Sequence, residues 1–200
     1  QDKPQKKKRK RRTKSSTKGR AKTRRGRTRR LFLVALRDML IAVALLVLLL
    51  QFFSPTVVRE HSMENTLKEN EILYIARAAY WFGEPQHGDI VVFHITLPDG
   101  SGDGKTLVKR VIGVPGDRIT ISGGVVYRND RPLDEAYVKG GMTLGDLNDL
   151  EVPEDSYFVL GDNREVSNDS RNADIGFVDK SQFRGKVMFR IFPLSEFRVF

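Results

Sequence analysis

The chain has 200 residues and a formal charge of +10, and it contains no cysteine. This length allows one ordinary domain with appendages or two small domains. The lack of cysteine excludes disulfide scaffolds, thiolate zinc sites and thiol peptidases, and with three scattered histidines no metal site is expected.

The positive charge is concentrated at the N-terminus. Residues 1–30 hold 17 of the 35 Lys and Arg but only one of the 25 Asp and Glu, a local charge of +16 that leaves −6 for residues 31–200. Almost no apolar side chain offsets the entropy of ordering this stretch, so it is predicted to be a disordered tail. A nucleic-acid-binding arm or nuclear address is the alternative. The long apolar run that follows favours a membrane-flanking cluster, and no nucleic-acid partner is expected.

Residues 31–53, LFLVALRDMLIAVALLVLLLQFF, have only Arg37, Asp38 and Gln51 as polar members. As a helix they would span about 34 Å, enough for a bilayer core of about 30 Å. A cleavable signal peptide is the rival interpretation, but no pair of small residues suited to cleavage follows Leu50. The run therefore predicts an uncleaved transmembrane anchor.

The charge distribution predicts the orientation of this anchor. Lys and Arg collect on the cytoplasmic side of a membrane span, and here 17 precede the run while only Arg59 closely follows it. We expect the tail to lie inside, beside anionic lipid, and residues 54–200 to lie on the extracytoplasmic side of the cell membrane.

Beyond the anchor, short β-branched and aromatic runs bounded by Gly, Pro, Asp or Asn predict a mostly β domain. Two adjacent glycines, Gly123 and Gly124, predict a hairpin turn. Residues 131–153 are weakly patterned and are expected to form a surface excursion. The predicted strands are 71–76, 89–95, 107–114, 117–121, 125–130, 156–160 and 185–192.

Two segments of this domain could carry chemistry. Ser62 and Met63 follow the anchor closely, in EHSMENTL, although most loop serines only form turns. Lys109 alternates with Leu107 and Val111 along an apolar strand, so its amine could be desolvated. A buried lysine loses several pKa units and could then accept a proton from a serine hydroxyl. The alternative is a lysine whose stem lies on apolar surface with its amine in water.

A third unusual segment is GDNREVSNDSR, residues 161–171, which follows an apolar strand. Site residues concentrate in such polar loops, although capped turns or a calcium loop would also fit the composition. Histidine is a poorer candidate for the base. His61 is adjacent to Ser62 and should point to the opposite face, and nothing links His87 or His94 to Ser62.

Taken in order, these segments resemble bacterial type I signal peptidases, membrane-anchored serine proteases with a Ser-Lys pair. The resemblance covers residues 31 to about 194 and excludes the basic tail. It is carried by SMENTL after the anchor, GDIVVF at 88–93, KRVIGVPGD at 109–117, and GDNR followed by Ser167, Asp169, Ser170 and Arg171.

The resemblance implies a fold and a set of roles. The fold would be an antiparallel β-sheet catalytic domain with an apolar surface near the bilayer. Ser62 would be the nucleophile and Lys109 its general base. Ser167 would orient the lysine amine, with Asp169 supporting the site. Other matching positions are Met63, packed beside the nucleophile, and Asp162 and Arg171, structural around the site.

The implied substrates are signal peptides of secretory preproteins, cut after small residues at −3 and −1 without a cofactor. A non-catalytic domain that binds exported peptides is the alternative, because the sequence departs from the family pattern twice. Asn65 replaces a usual proline. Glu60 replaces a Gly or hydroxyl residue, and its carboxylate would oppose the oxyanion unless it is rotated away, protonated or paired with a cation. We expect Glu60 to be turned out of the site.

Overall fold

The computed structural model describes residues 18–96 and 104–200. In these ranges the chain forms one α-helix and twelve β-strands, with short 3₁₀ turns between several of them. The elements are α1 (Lys18–Phe52), β1 (Phe53–Val57), β2 (Ile72–Ala76), β3 (Ile90–Thr96), β4 (Gly104–Gly113), β5 (Arg118–Ser122), β6 (Val125–Arg128), β7 (Arg131–Pro132), β8 (Leu147–Glu151), β9 (Ser156–Leu160), β10 (Val178–Asp179), β11 (Phe183–Phe192) and β12 (Arg198–Val199).

Helix α1 begins earlier than the sequence analysis expects. The predicted disordered tail falls partly outside the described residues, but residues 18–30 are helical. Lys and Arg are good helix formers, and no proline interrupts the chain between Pro4 and Pro55, so the helix extends N-terminally from the apolar run. The described side chains from Arg30 to Val47 are all exposed. Among the described residues, no helix is long and apolar enough to cross a membrane.

The chain divides into two compact units, Gln1–Leu48 and Leu49–Phe200. The second contains two sheets in which every pairing is antiparallel. The larger sheet has the order β1-β2-β11-β3-β4-β9-β10, with β12 also paired to β11, and the smaller has the order β7-β6-β5-β8. The mostly antiparallel β fold expected from the sequence is confirmed. Strand β4 lies inside the larger sheet, between β3 and β9, and its face with Leu107, Lys109 and Val111 is buried in the core.

Each of the seven predicted strands has a counterpart within three residues of its predicted ends. The predicted hairpin also forms, since Gly123 and Gly124 both have positive φ between the paired residues Ser122 and Val125. In L-residues such a turn is strained, which is why glycine occupies both positions.

Strands β1 and β8 were missed for identifiable reasons. Pro55 lies in β1, and proline disfavours a strand except at a sheet edge, which is where β1 lies. Strand β8 falls in the expected surface excursion, 131–153, because its sequence, LNDLE, has low β propensity. It nevertheless pairs with β5, and Leu147 and Leu150 pack against the core beneath the smaller sheet. The excursion is therefore partly integral to the fold.

Asp117 ends the VPGD turn that leads from β4 into the smaller sheet. It is buried and accepts hydrogen bonds from the backbone N–H of Val114 (2.9 Å), Arg128 Nε (2.6 Å) and Asn129 Nδ2 (2.7 Å). Burial alone would favour the neutral acid, but these donors outweigh it and hold the pKa of Asp117 below its usual value. The ionised carboxylate is thus the form that stabilises this corner.

We expect Asp117→Asn to lower the free energy of unfolding at pH 7 by about 1–3 kcal/mol, since charge-assisted bonds are lost. Because the folded pKa is depressed, this stabilisation is present above the unfolded pKa of about 3.9 and disappears as pH falls through the folded value. Thermal unfolding of both proteins between pH 3 and pH 7 measures the difference. Exposed Asp174→Asn is the control. A difference that persists unchanged at pH 3 would contradict the argument.

Candidate active site

Lys109 lies on the face of strand β4 that is buried in the hydrophobic core. Its neighbours on the same face, Leu107 and Val111, belong to the hydrophobic core, and the residue opposite on β3, Val91, is fully buried. The exposed fraction of Lys109 is 0%. The alternative interpretation, a lysine stem on apolar surface with its amine in water, is therefore wrong for Lys109.

Ser62 lies in a single 3₁₀ turn, His61–Met63, that follows the extended residue Glu60. Met63 is 1% exposed and packs with Leu67 and Leu73 in a second core cluster, which fixes the turn from below. The Ser62 carbonyl accepts a hydrogen bond from the N–H of Asn163, which ties the turn to the loop 161–171.

The serine and the lysine, distant in sequence, meet in the fold. Lys109 Nζ donates a hydrogen bond of 2.6 Å to Ser62 Oγ. Burial lowers the pKa of Lys109 to about 8; Glu60 and Asp169 partly oppose this effect, and Lys105 and Arg171 reinforce it. Near pH 8 roughly half of the amines are then neutral and able to accept a proton.

The loop 161–171 is held by Asp169. Its carboxylate accepts hydrogen bonds from the N–H of Gly161 (3.1 Å) and from Arg171 Nε (2.8 Å) and Nη2 (2.9 Å). Arg171 also donates to the carbonyls of Leu144, Arg164 and Ser167. One fully buried acid and its arginine therefore fix both ends of the loop.

Ser167 lies close to the backbone of Ser62, but its hydroxyl forms no hydrogen bond with the lysine amine. A Cβ built on Gly161 would be 2.2 Å from Ser167 Oγ and 2.4 Å from the Ser62 carbonyl oxygen. Ser167 Oγ is buried without a hydrogen-bond partner among the described residues. The hydrogen bond to Lys109 that the resemblance implies is therefore not formed here, where the amine donates to Ser62 instead.

Asp162 joins three of the sequence motifs. It is fully buried, accepts two hydrogen bonds from Arg110, at 2.9 and 2.7 Å, and accepts a third from the hydroxyl of Thr66. Arg110 also stacks on Tyr137, with 3.9 Å between its guanidinium carbon and the ring centre. Asp162 thereby fixes the chain on both sides of the Ser62–Lys109 contact.

Sequence reasoning missed a second buried arginine contact. Arg164 is 1% exposed, donates to the Gly161 carbonyl at 3.0 Å, and forms a two-bond ion pair with Glu135 at 3.0 and 2.6 Å. Thr143 contacts the same guanidinium. The excursion 131–153 supplies these partners, so it supports the loop 161–171; no local pattern in its sequence signals that role.

A cavity of about 330 Å³ opens beside the serine. Glu60 lines this cavity, so the expectation that it is turned out of the site is wrong. Its Oε1 lies 2.6 Å from Lys105 Nζ, and its Oε2 lies 3.9 Å from Lys109 Nζ. Of the options weighed from the sequence, pairing with a cation is the one realised. The other lining residues are Arg59, His61, Ser62, Lys105, Leu107, Val166 and Asn168.

The histidines have other partners. The His61 ring forms a hydrogen bond with Glu64 at 2.6 Å. The His87 ring forms one with the Ile112 carbonyl at 2.8 Å, and the His94 ring forms one with Thr106 Oγ1 at 3.2 Å. In the described part of the chain, no histidine ring forms a hydrogen bond with Ser62. A serine hydroxyl that contacts a buried amine, in an antiparallel β domain, is an arrangement that serine hydrolases use.

Comparison with known proteins agrees with this class. The family described as signal peptidase, peptidase S26, matches residues 32–192. Signal peptidase I of Bacillus licheniformis is 36% identical over 172 residues, covering 81% of this chain and 89% of that protein. The probable signal peptidase I-1 of Synechocystis is 37% identical over 162 residues, covering 78% and 81%.

A solved signal peptidase I structure from Enterococcus faecalis shares 32% identity, covers 52% of this chain and 97% of that chain, and has a TM-score of 0.43. The family match and the identity to the Bacillus and Synechocystis proteins show that the chain belongs to the signal peptidase family, peptidase S26.

The packing at Gly161 leads to a prediction. We expect Gly161→Ala to reduce kcat/KM about a hundredfold or more, because the added methyl would displace the Ser62 backbone and a displacement of about 1 Å costs that much in rate. Peptidase assays and thermal unfolding of the same preparations separate lost activity from lost fold.

The control for this change is Gly83→Ala, where the new Cβ would approach only the Ala79 carbonyl, at 3.3 Å. It should stay within about twofold of wild type, as surface changes usually do. Full activity in Gly161→Ala would show that the turn and the loop are not packed as described.

Proposed function

We propose that this chain removes signal peptides from exported preproteins, with Ser62 as nucleophile and Lys109 as general base. The observation that carries the proposal is the 2.6 Å hydrogen bond between a fully buried lysine amine and a serine hydroxyl at a cavity. Burial supports the lysine's role because it favours the neutral amine, the only form that accepts a proton.

In the proposed reaction, neutral Lys109 takes the hydroxyl proton as Ser62 Oγ attacks the scissile carbonyl carbon. The ammonium then returns that proton to the leaving amino group as the C–N bond breaks, releasing the mature protein. The signal peptide stays esterified to Ser62 until Lys109 deprotonates a water that attacks the ester. Attack by that water breaks the ester bond between Ser62 Oγ and the acyl carbon, and the signal peptide leaves with a free carboxyl group. The Lys109 ammonium returns its proton to Ser62 Oγ, which restores the serine hydroxyl and completes the cycle without a cofactor.

The substrate is proposed to bind as an extended segment with small residues at −3 and −1. An extended peptide offers its backbone for strand addition while alternate side chains enter pockets. Leu107 and Val166 give apolar character to the cavity beside Ser62. The backbone N–H of Ser62 is proposed to stabilise the oxyanion, because Glu60 has no hydroxyl to offer.

Residues of the loop 161–171 and of the serine turn are proposed to support this chemistry. Asp169, held by Arg171, keeps the loop against the serine turn. The buried Ser167 hydroxyl, which has no partner among the described residues, is available to orient the lysine amine once the amine leaves Ser62. Met63 and Asp162 are proposed to keep the nucleophile's turn in place.

A membrane location is the finer part of the proposal. Residues 31–53 are proposed to anchor the chain in the cell membrane, with the basic tail inside and against anionic lipid. The apolar side chains from Leu31 to Val47 are exposed, as lipid-facing residues would be. Trp81 and Phe82, 64% and 96% exposed, are suited to contact with the bilayer surface.

Substitution of the catalytic pair tests the proposal. We expect Ser62→Ala and Lys109→Ala each to lower turnover of a precursor with Ala at −3 and −1 about 10³-fold or more, and the double variant to be little worse, because residues that act as a unit are not additive. Wild-type kcat/KM should rise with pH through the lysine pKa of about 8, since the neutral amine is the base.

The assay uses detergent-solubilised full-length protein, and the masses of both products identify the bond that is cut. Exposed Ser122→Ala and Lys68→Ala are the matched controls. If folded Lys109→Ala retained a tenth of wild-type turnover, another group would have to be the base and the assignment would fail.

The orientation is tested separately. A reporter that is active only outside the cytoplasm should function when fused after Phe200 and fail when fused before Gln1, because the local charge of +16 should hold residues 1–30 inside. Reporter activity from each fusion in intact cells is the measurement. The reverse pattern would separate Ser62 from exported substrates and refute the proposed location.

A further inference from the structure

An ion pair in the cavity wall lies next to the proposed base. Lys105, Leu107 and Lys109 alternate along β4 and therefore share one face. Lys105 lies at the exposed end of this row, and its Nζ is 2.6 Å from Oε1 of Glu60, the extended residue before the serine turn. The pair joins the turn that carries the nucleophile to the strand that carries the base.

The second oxygen of the same carboxylate faces Lys109. Oε2 of Glu60 lies 3.9 Å from Lys109 Nζ, too far for a hydrogen bond but close enough for strong attraction between charges. An anion at that distance favours the ammonium, which cannot act as a base. Glu60 alone would therefore work against the chemistry that the buried lysine is proposed to perform.

The charged groups that face Lys109 form two ion pairs. The serine turn contributes Glu60 and β4 contributes Lys105, while the loop 161–171 contributes Asp169 and Arg171. His61 is exposed and bonded to Glu64. Within each pair the anion raises the pKa of Lys109 and the cation lowers it. Because each pair is close to neutral, burial remains the dominant effect on the amine.

We propose that Lys105 is a positioning residue for the reaction: by holding the Glu60 carboxylate in an ion pair, it keeps the neighbouring Lys109 amine neutral and able to accept the Ser62 proton. The inference rests on the proposed function, since it requires Lys109 to be the base. In this role Lys105 offsets the carboxylate at position 60, where the family usually has a Gly or a hydroxyl residue.

The physical reason is a difference in environment between the two lysines. Lys105 is half-exposed, so water stabilises its charge, whereas Lys109 has no contact with solvent. The Glu60 carboxylate therefore interacts more closely with Lys105, at 2.6 Å, than with Lys109, at 3.9 Å. The same pairing also reduces the negative charge that an unpaired Glu60 would present to the developing oxyanion beside Ser62.

The position of the acidic limb of the pH profile of kcat/KM tests this role, because it reports the pKa of the base in the free enzyme. Detergent-solubilised full-length Lys105→Met, Lys105→Arg, Glu60→Gln and the double variant Lys105→Met with Glu60→Gln are compared with wild type. Lys68→Met, which removes an exposed lysine paired with Glu196, is the matched control. Thermal unfolding verifies that each variant is folded.

We expect Lys105→Met to move the limb upward by about 0.5–1 pH unit, which lowers kcat/KM about three- to tenfold on the acidic side. Glu60→Gln should move it downward, and the double variant should lie between the two single ones. Lys105→Arg keeps a cation beside the carboxylate and should restore the wild-type limb. Lys68→Met should leave the profile unchanged.

The inference would be overturned if the acidic limb of the pH profile stayed at its wild-type position in folded Lys105→Met. It would also be overturned if the double variant had the same profile as Lys105→Met, since Glu60 would then have no part in the effect. A uniform loss across all pH values would assign Lys105 to substrate binding instead and would also overturn it. Failure of the proposed function looks different: Lys109→Ala would then remain active, whatever the profile of the Lys105 variants.

Discussion

The burial of one amine is the constraint on which the rest of this domain depends. Lys109 is inaccessible to solvent between core side chains of β4, and such a group loses hydration that stabilises its charge. The fold does not surround it with enough anions to restore that charge. The result is an amine with a pKa of about 8 that is bonded to Ser62. Catalysis as proposed needs this unfavourable burial, which the surrounding structure must compensate.

Buried arginines hold the loops around the pair in place. Arg110 donates two hydrogen bonds to Asp162, which accepts a third from Thr66, a residue that follows the serine turn. Arg164 likewise donates two hydrogen bonds to Glu135. Each guanidinium places two donors on one carboxylate, which fixes direction as well as distance. The serine turn, β4 and the loop 161–171 are thereby held in one rigid arrangement.

The chain-specific feature is the charge placed at the edge of this arrangement. Glu60 introduces an anion beside the proposed base, which must be neutral to act, and Lys105 pairs with that anion from the same strand face as Lys109. Burial separates the two lysines chemically although they are only four residues apart. Water stabilises the charge of Lys105, while Lys109 is proposed to lose its proton at moderately alkaline pH. Two lysines on one strand face are thus proposed to take different roles, chiefly because one is exposed to solvent and the other is buried.

The sequence by itself determined the β class, most strands, the Gly123–Gly124 turn and the motifs that contain Ser62 and Lys109, because alternation, turn residues and local spacing are properties of neighbouring residues. Tertiary structure alone decided that Lys109 is buried, that Glu135 pairs with Arg164, and that Glu60 faces the cavity. These facts depend on contacts between residues far apart in the chain. Burial and charge pairing are set only when sheets and loops pack together, so no local pattern can encode them visibly.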